Sequence, residues 1–173
     1  LGLNPNQSLK ASYNRLRQYI HLISNGTAPT PVDIWQVSNT FLMPQVADNY
    51  SLGYFRNANS NMYETSIEAF YKLTRNVIDY KDFAQLLLNR HIETELLQGN
   101  GKSYGIELYA KKNTGTWTGW VSYTWSRAFV QMNGAAVEER INNGDWYAAS
   151  YDKPHNLSFT TNRKIGKNIR FGL

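Results

Sequence analysis

The chain of 173 residues has no cysteine, which excludes a disulfide framework and a metal site built on thiolates. It also lacks an uninterrupted run of about 18 apolar residues, the length that a membrane-spanning helix needs. Basic residues are not concentrated: the net charge is +5, but Lys and Arg are scattered, whereas a nucleic-acid interface carries a basic stripe. We therefore predict no spanning helix, no thiolate metal site and no nucleic-acid partner.

Catalytic and metal-binding motifs are missing as well. His21, His91 and His155 lie far apart and form neither an HExxH motif nor a paired spacing. Glu64 and Glu68 could act as an acid and a base, but on one strand face they more simply form a charged wall. We predict no enzyme activity, no cofactor and no metal.

What the sequence does contain is a long alternating hairpin at Ser103–Arg127. Apolar and polar residues alternate in both arms with the period of two that a pleated strand imposes, and Asn113-Thr114-Gly115 supplies the turn. Each arm has roughly the ten residues that a tilted strand needs to cross a bilayer. Trp117 and Trp125 stand near opposite ends of one face, as in the aromatic girdles of outer-membrane barrels. A soluble hairpin with one face in a sandwich core is the alternative.

Seven strands are predicted in all, and residues 1–9 are predicted as a loop. The strands are Leu9–Ile23, Asn49–Arg56, Met62–Arg75, the two arms within Ser103–Arg127, His155–Arg163 and Ile169–Leu173. The alternation changes phase near Arg15–Arg17, which either a bulge or a register change explains. Helical spacing within Phe83–Leu97 predicts a short surface helix.

The connections alternate between long and short. The long connections are predicted at Ser24–Asp48, Asn76–Lys102 and Ala128–Lys153, and each has about 25 residues. Long loops on one side are typical of outer-membrane barrels. In such barrels the short turns lie on the periplasmic side and the long loops outside, whereas a sandwich has no reason to separate them. A closed barrel needs at least about eight strands. We therefore predict an all-β fold, an antiparallel meander of about seven strands that forms an arc of a larger transmembrane barrel.

The two faces of these strands are predicted to meet different surroundings. The predicted lipid-facing residues are Tyr63, Ile67, Tyr71, Leu73, Tyr104, Ile106, Leu108, Trp117, Val121, Tyr123, Trp125, Leu157 and Phe159. The predicted lumen-facing residues are Glu64, Glu68, Lys72, Glu107, Lys111, Ser122 and Thr124.

Several aromatic residues fall within the predicted long loops. They include Trp35, Trp146, Tyr147 and Tyr151. Two interpretations remain open: the rings stack against a bound sugar or peptide, or they pack the loops onto their neighbours, which is the commoner role.

Several runs of the sequence resemble a known family. GKSYGIELYAKKNTGTWTGWVSYTWSR at 101–127 and INNGDWYAASYDKPHNLS at 141–158 resemble the later barrel strands of TonB-dependent outer-membrane receptors of the Bacteroidetes type. Runs at 12–24, 27–35, 46–57 and 78–107 fit the same family, so the resemblance covers most of the chain.

The resemblance implies more than the spacing does. Such receptors are 22-stranded barrels that are closed by an N-terminal plug and import nutrient solutes with energy from TonB. Residues 1–173 contain nothing that matches a plug or a TonB-contact segment, and the chain begins at Leu1 without methionine, so we expect an excerpt of a longer protein. The expected partners are outer-membrane lipid, TonB through an N-terminal region, and a solute that no motif identifies. A surface lipoprotein is a further partner that the family allows.

Three functions therefore remain to be distinguished. The first is the barrel segment of a TonB-dependent receptor in the bacterial outer membrane. The second is a soluble, aromatic-rich β-sandwich that binds carbohydrate or protein. The third is an outer-membrane enzyme with a catalytic group at the rim.

Overall fold

The computed structural model describes residues 1–23, 34–81, 84, 92–165 and 169–172. Eleven strands lie in these ranges: β1 (Gly2–Asn4), β2 (Gln7–Gln18), β3 (Ile20–Ile23), β4 (Ile34–Val37), β5 (Gln45–Ala58), β6 (Tyr63–Tyr80), β7 (Leu96–Lys112), β8 (Trp117–Gln131), β9 (Tyr147–Ala148), β10 (His155–Ile165) and β11 (Ile169–Gly172). No helix in these ranges has the length and apolar character needed to cross a membrane.

The main sheet is an antiparallel meander in the order β1, β2, β5, β6, β7, β8, β10, β11, with β9 added to the end of β8. Strands β3 and β4 form a separate hairpin. Each of the seven predicted strands has a counterpart in the meander, so the predicted all-β meander fold is confirmed.

The predicted strand Leu9–Ile23 was too long, because β2 ends at Gln18 and residues 20–23 form β3 outside the meander. The prediction of irregular structure over Ser24–Asp48 was wrong for β4 and for residues 45–48, which begin β5. Residues Gly2–Asn4 were wrongly predicted as loop, since they pair with the start of β2.

Short and long connections lie at opposite ends of the sheet, as the sequence predicts. Tight turns at 59–62 and 113–116 join β5 to β6 and β7 to β8, and long connections at 19–44, 81–95 and 132–154 join the other ends. The second long connection is shorter than predicted because β6 continues to Tyr80 and β7 begins at Leu96. We call the two ends the short-turn rim and the long-loop rim.

The predicted helix within Phe83–Leu97 is only partly within the described residues. A short 3-10 helix covers Ile92–Glu95, and Leu96 and Leu97 already belong to β7, so the helical prediction is wrong for these two residues. Residues 82–83 and 85–91, which include His91, lie outside the described ranges. Residues 96 and 97 are apolar because they begin β7, and their spacing from the residues before them matches a helical period only by chance.

The predicted break near Arg15–Arg17 is absent, because β2 pairs with β5 without interruption from Gln7 opposite Arg56 to Gln18 opposite Gln45. What changes there is the chemistry of one face, which carries Tyr13 and then two arginines. The alternation in side-chain direction continues, and only its apolar character ends.

A bulge does occur at Asn76 in β6. Asn76 has φ +58°, and the pairing with β7 shifts between Arg75 and Val77. Its side-chain amide donates a hydrogen bond to the carbonyl oxygen of Pro44 at 2.8 Å. Because the extra residue reverses the alternation, Val77 and Asp79 lie on the face that the even-numbered residues occupy earlier in the strand.

Buried apolar side chains gather near the long-loop rim. They are Ile23, Leu42, Ala47, Leu97, Val130, Met132 and Ala149. By contrast, Ile67 in the middle of the sheet is 47% exposed, and Trp117 at the short-turn rim is 51% exposed. Within the described residues, this face of the sheet is therefore not sealed inside a core, as a single-chain sandwich would require.

Candidate functional site

The thirteen residues predicted to face lipid all lie on one face of the meander, which we call the aromatic face. Residues that pair across an antiparallel ladder share a face. The ladder joins Ile67 to Leu108, Leu108 to Tyr123 and Tyr123 to Leu157. It also joins Tyr71 to Tyr104, whose rings stack at 6.3 Å, and Tyr104 contacts Trp125 at 6.2 Å.

The seven residues predicted to face the lumen lie together on the opposite face, which we call the charged face. Glu68 pairs with Glu107, and Glu107 pairs with Thr124. Glu64 accepts a hydrogen bond from the side-chain amide of Asn113 at 2.6 Å and lies 3.9 Å from the Lys111 ammonium. These groups form a wall of mixed charge.

The two faces differ in exposure. Between residues 63 and 71 of β6, each residue on the aromatic face is exposed and each residue on the charged face is half-buried. In a flat sheet without covering layers both faces would be equally exposed. The alternation is what a curved sheet produces, because side chains converge on its concave side and shade one another.

Between residues 64 and 74 of β6, Phe70 is the one apolar residue on the charged face, and the structure explains it. Phe70 pairs with Gly105, and a Cβ built on Gly105 would lie only 2.8 Å from the Cζ atom of Phe70. The ring therefore covers the space above glycine. Aromatic rings often cover strand glycines in this way.

A depression of about 350 Å³ lies on the charged face near the short-turn rim. Its polar lining includes Glu64, Glu68 and Glu107, together with Tyr109 and Ser122. Within the described residues no group of acidic and histidine side chains has the arrangement of a metal site. The depression is thus a polar, acidic part of the wall.

A second cavity, of about 400 Å³, lies at the long-loop rim, and we call it the loop-end cavity. Apolar side chains from β3, β6 and β8 line it beside Asp79, Tyr147 and Tyr151. The Tyr147 hydroxyl donates a hydrogen bond to the Asp79 carboxylate at 2.7 Å, and the same carboxylate accepts the backbone N–H of Tyr80 at 2.8 Å. A mostly apolar cavity with a few fixed polar groups is typical of ligand sites.

Tyr151 lines this cavity, although the residue as a whole is 66% exposed. Desolvation against the cavity wall raises the pKa of its phenol, and the negative charge of Asp79 adds to the shift. The cavity therefore offers the Tyr151 hydroxyl as a donor and the Asp79 carboxylate as an acceptor, while the Tyr147 proton is already donated to Asp79.

The four loop aromatics predicted as candidate ligand contacts are not all brought together. Tyr147 and Tyr151 both line the loop-end cavity. The Trp146 ring instead contacts Lys102, whose ammonium lies 4.0 Å from the ring centroid. Trp35 on β4 is 66% exposed. Sequence reasoning missed Asp79, although Asn76 three residues earlier was a signal, because asparagine readily takes the positive φ of a bulge.

Two histidines lie within the described residues, and each has a structural partner. The Nε2 atom of His21 is 2.9 Å from the Ser38 hydroxyl, and His21 is 4% exposed. The Nδ1 atom of His155 is 2.8 Å from the Tyr123 hydroxyl, and the two rings stack. Both therefore hold loops and strand ends together.

We expect the β3–β4 hairpin to loosen in acid. Burial lowers the pKa of His21 from 6.5, so the hairpin favours the neutral ring. When the hairpin opens, the His21 ring regains its ordinary pKa of 6.5 and takes up a proton at a higher pH than the closed hairpin does. The stability that the neutral ring provides is therefore fully present above pH 6.5 and is lost as the pH falls through the lowered pKa. In a peptide covering residues 20–23, protection against hydrogen exchange, corrected for the intrinsic pH dependence of amide exchange, should fall across this range.

The matched control is His21→Gln, which keeps a neutral polar group near Ser38 but has no proton to gain. The corrected protection of this variant should not change between pH 7 and pH 5. An equal loss of corrected protection in both proteins would contradict the role of His21.

Residues 1–168 match the family model described as TonB dependent receptor-like, beta-barrel. No curated protein matches the sequence. Three solved structures are similar in fold. The FpvAI–pyocin S2 complex has a TM-score of 0.63 at 16% identity, over 98% of this chain and 21% of that one.

The ferripyoverdine receptor of the outer membrane of Pseudomonas aeruginosa, bound to ferripyoverdine, also has a TM-score of 0.63 at 16% identity, over 98% of this chain and 20% of that one. P. aeruginosa FpvA bound to a heterologous pyoverdine has a TM-score of 0.62 at 17% identity, over 98% and 20%. The chain spans about a fifth of the length of these receptors.

Proposed function

This chain belongs to the TonB-dependent receptor-like β-barrel family of the bacterial outer membrane, and on this premise we propose that it is part of the wall of a nutrient importer. In the proposal, the aromatic face meets lipid and the charged face lines the lumen. The observation that carries it is the separation of the predicted residues onto two opposite faces by one continuous register. Soluble monomeric proteins rarely expose an apolar surface of this size, so the exposed aromatic face does not fit a soluble sandwich.

The remaining parts of the importer are proposals of the same kind. Further strands would close the barrel, and a plug and a TonB-contact segment would belong to an N-terminal region outside residues 1–173. The finer assignment to receptors of the Bacteroidetes type rests on the runs at 101–127 and 141–158. A surface lipoprotein is a further partner in this proposal.

A role in catalysis is not part of the proposal. The family is one of receptors and transporters. The described histidines are engaged with Ser38 and Tyr123, and the acidic residues of the charged face sit in an open wall. We propose instead that solute contacts come from the lumen and the long loops.

Uptake by cells tests the importer directly. A strain that lacks the gene is compared with a complemented strain, using metal chelates, cobalamin, glycans and peptides as candidate solutes. We expect the complemented strain alone to take up one of these classes, and we expect a protonophore to abolish that uptake. Equal uptake of all four classes by the two strains would contradict import.

We further propose that the loop-end cavity contacts the solute, because it joins phenolic hydroxyls to a carboxylate beside apolar walls. Tyr147→Phe removes the hydroxyl that bonds to Asp79 and leaves the ring in place. In the proposal this hydroxyl also accepts a hydrogen bond from the solute, and losing one such bond costs about 1 kcal/mol, so we expect the half-saturating solute concentration to rise about fivefold. Initial uptake rates in whole cells measure this change.

The control is Tyr63→Phe, the same substitution on the aromatic face at the short-turn rim. Half-saturation should stay within twofold of the parent for this variant. Equal shifts for both variants, or none for Tyr147→Phe, would remove the loop-end cavity from the solute path while leaving import itself intact.

A further inference from the structure

The loop-end cavity contains one charged side chain among the described residues that line it, the carboxylate of Asp79. The bulge at Asn76 brings this residue to the charged face of β6, which in the proposed importer is the lumen side. The other lining residues are apolar or aromatic, apart from the neutral Ser150. The lining therefore carries a negative charge and no positive one.

No basic side chain of the described residues neutralises Asp79. Asp48 and Asp152, which also lie near the long-loop rim, each form a salt bridge with an arginine. The hydrogen-bond donors to Asp79 are the Tyr147 hydroxyl at 2.7 Å and the backbone N–H of Tyr80 at 2.8 Å, and both are neutral. The carboxylate thus has fixed hydrogen bonds but no neighbouring cation.

The basic residues nearest to Asp79 along the chain do not line the cavity. Arg75 lies on the aromatic face and contacts Asp48. Lys81 follows two residues after Asp79, but it forms no salt bridge with that carboxylate and is not among the lining residues. The pKa of Tyr151 is raised first by desolvation and then by the charge of Asp79, so this charge acts within the cavity.

A solute that fills the cavity removes water from the Asp79 carboxylate. Removing water from an unpaired charge is unfavourable unless the solute supplies the opposite charge and hydrogen-bond donors. A carboxylate has about four acceptor positions, and the two neutral donors occupy two of them. An ammonium group supplies a positive charge and three N–H donors. It therefore matches what Asp79 lacks, whereas an anionic group would be repelled.

The remaining walls suit an apolar group attached to such an ammonium. Leu22 of β3, Val77 of β6 and Val130 of β8 form apolar walls. The rings of Tyr147 and Tyr151 add aromatic surface beside the carboxylate, and aromatic rings attract cations as well as apolar groups. Burial of apolar surface supplies affinity here, and the charge supplies selection between solutes of similar shape.

We propose that the loop-end cavity selects a solute in which an ammonium group is attached to an apolar group. The inference rests on the proposed function, in which this cavity contacts the transported solute, and it adds the chemical class of that solute. The Asp79 carboxylate accepts N–H donors of the ammonium, and the apolar group packs on the walls from β3, β6 and β8. Solutes of the same shape that are neutral or negative at this position bind more weakly.

Binding of one small peptide in three charge states to the complete receptor tests the proposal. The probe is para-fluorophenylalanyl-glycine amide, whose amino terminus is left as the ammonium, acetylated to a neutral amide, or succinylated to a carboxylate. Fluorine NMR at about pH 6.5, where the free amino terminus is charged, measures the dissociation constant of each form in neutral detergent micelles. Empty micelles give the background from partition into detergent.

The variant is Asp79→Asn, which removes the charge and keeps the size of the side chain and an oxygen for the Tyr147 hydroxyl. The matched control is Asp145→Asn, the same change at an exposed aspartate two residues before Tyr147 and outside the cavity lining. Both variants lose one negative charge at the long-loop rim. Only the first loses it inside the cavity.

We expect the parent to bind the ammonium form at least about tenfold more tightly than the other two forms, since one hydrogen bond between charged partners contributes about that factor. Asp79→Asn should bind the ammonium form about tenfold more weakly than the parent does, and the succinylated form no more weakly. The control should stay within about twofold of the parent for all three forms, because its charge is exposed and screened.

Equal affinities of the three forms for the parent, no binding of any form, or tighter binding of the succinylated form would overturn the proposal. An Asp79→Asn protein that binds the ammonium form as tightly as the parent would also overturn it. If this variant fails to fold, it loses all three forms together, and the comparison of the three forms on the parent decides.

Failure of import has a different signature. The complemented strain would then take up none of the candidate solutes, while the purified receptor would still prefer the ammonium form. A strain that imports a solute through a receptor without this preference overturns the selection of cations alone.

Discussion

Placing lysine at Val121 should lower the free energy of unfolding of the complete barrel by about 2–4 kcal/mol. Val121 lies midway between Trp117 and Trp125 on the aromatic face of β8, and it pairs with Ala110 and Phe159. It is 42% exposed in the described chain, so the lysine meets lipid and not a core. The cost comes from holding a charged group near the middle of the hydrocarbon. Reversible urea unfolding in lipid vesicles measures it.

The matched control is Ser122→Lys, one residue further on the same strand at nearly the same depth. Ser122 lies on the charged face, where the new ammonium would meet water and the nearby Glu107, and the expected change is below about 1 kcal/mol. Ile67→Lys and Ser66→Lys form a second pair on β6. If the aromatic face met water and not lipid, lysine would be tolerated equally at all four positions, and that result would count against a lipid-facing aromatic surface.

Adding a side chain at Gly105 should destabilise the sheet by about 1–3 kcal/mol, the usual range for overpacking. A Cβ there would lie 2.5 Å from the carbonyl oxygen of Trp125 and 2.8 Å from Phe70 Cζ and Ser126 Cβ. The Trp125 oxygen belongs to the backbone and cannot move without disturbing the β7–β8 pairing. Urea unfolding of Gly105→Val in lipid vesicles measures the cost.

Gly2→Val provides the comparison, because a Cβ at Gly2 would meet nothing within 4 Å. Its stability should stay within about 0.5 kcal/mol of the parent, as for most surface substitutions. Removing the Phe70 ring as well, in Gly105→Val with Phe70→Ala, should not restore stability fully, since the backbone contact remains. If Gly105→Val alone were as stable as the parent, that result would contradict the close approach of the β8 backbone to Gly105.

The arrangement of the faces could be predicted from the sequence because a strand has a period of two. Tyr63, Ile67 and Tyr71 alternate with Glu64 and Glu68, and the hairpin at 103–127 repeats the pattern in both arms. Once like faces are paired, the register brings Ile67 beside Leu108 and Glu68 beside Glu107. Local alternation therefore carried most of the information on the sheet.

The ends of the strands could not be predicted in the same way. On β2 and β6, beyond the aromatic rings toward the long-loop rim, the aromatic face carries Arg15, Arg17 and Arg75. The apolar alternation therefore ceases there, although the strands continue. In β6 the bulge at Asn76 then reverses the phase. A strand that leaves the apolar band no longer carries the pattern by which it was recognised.

The loop-end cavity was also beyond the sequence. Its polar centre joins Asp79 to Tyr147, which are distant along the chain: Asp79 follows the bulge near the end of β6, and Tyr147 belongs to the two-residue strand β9. Only the sheet register and the added pair β8–β9 bring them together. The aromatic residues of the loops indicated that a site could lie there, and the carboxylate that Tyr147 bonds was missed.

The most direct test of the central claim is the environment of each face of β8 in the lipid-reconstituted complete receptor. Residues 1–173 contain no cysteine, so single cysteines at 121, 122, 123 and 124 can carry spin labels once any cysteines elsewhere are removed. We predict that labels at 121 and 123 are accessible to oxygen dissolved in lipid, and that labels at 122 and 124 are accessible to a water-soluble nickel reagent. Labels that show no alternation, or the opposite one, would contradict an aromatic face that meets lipid.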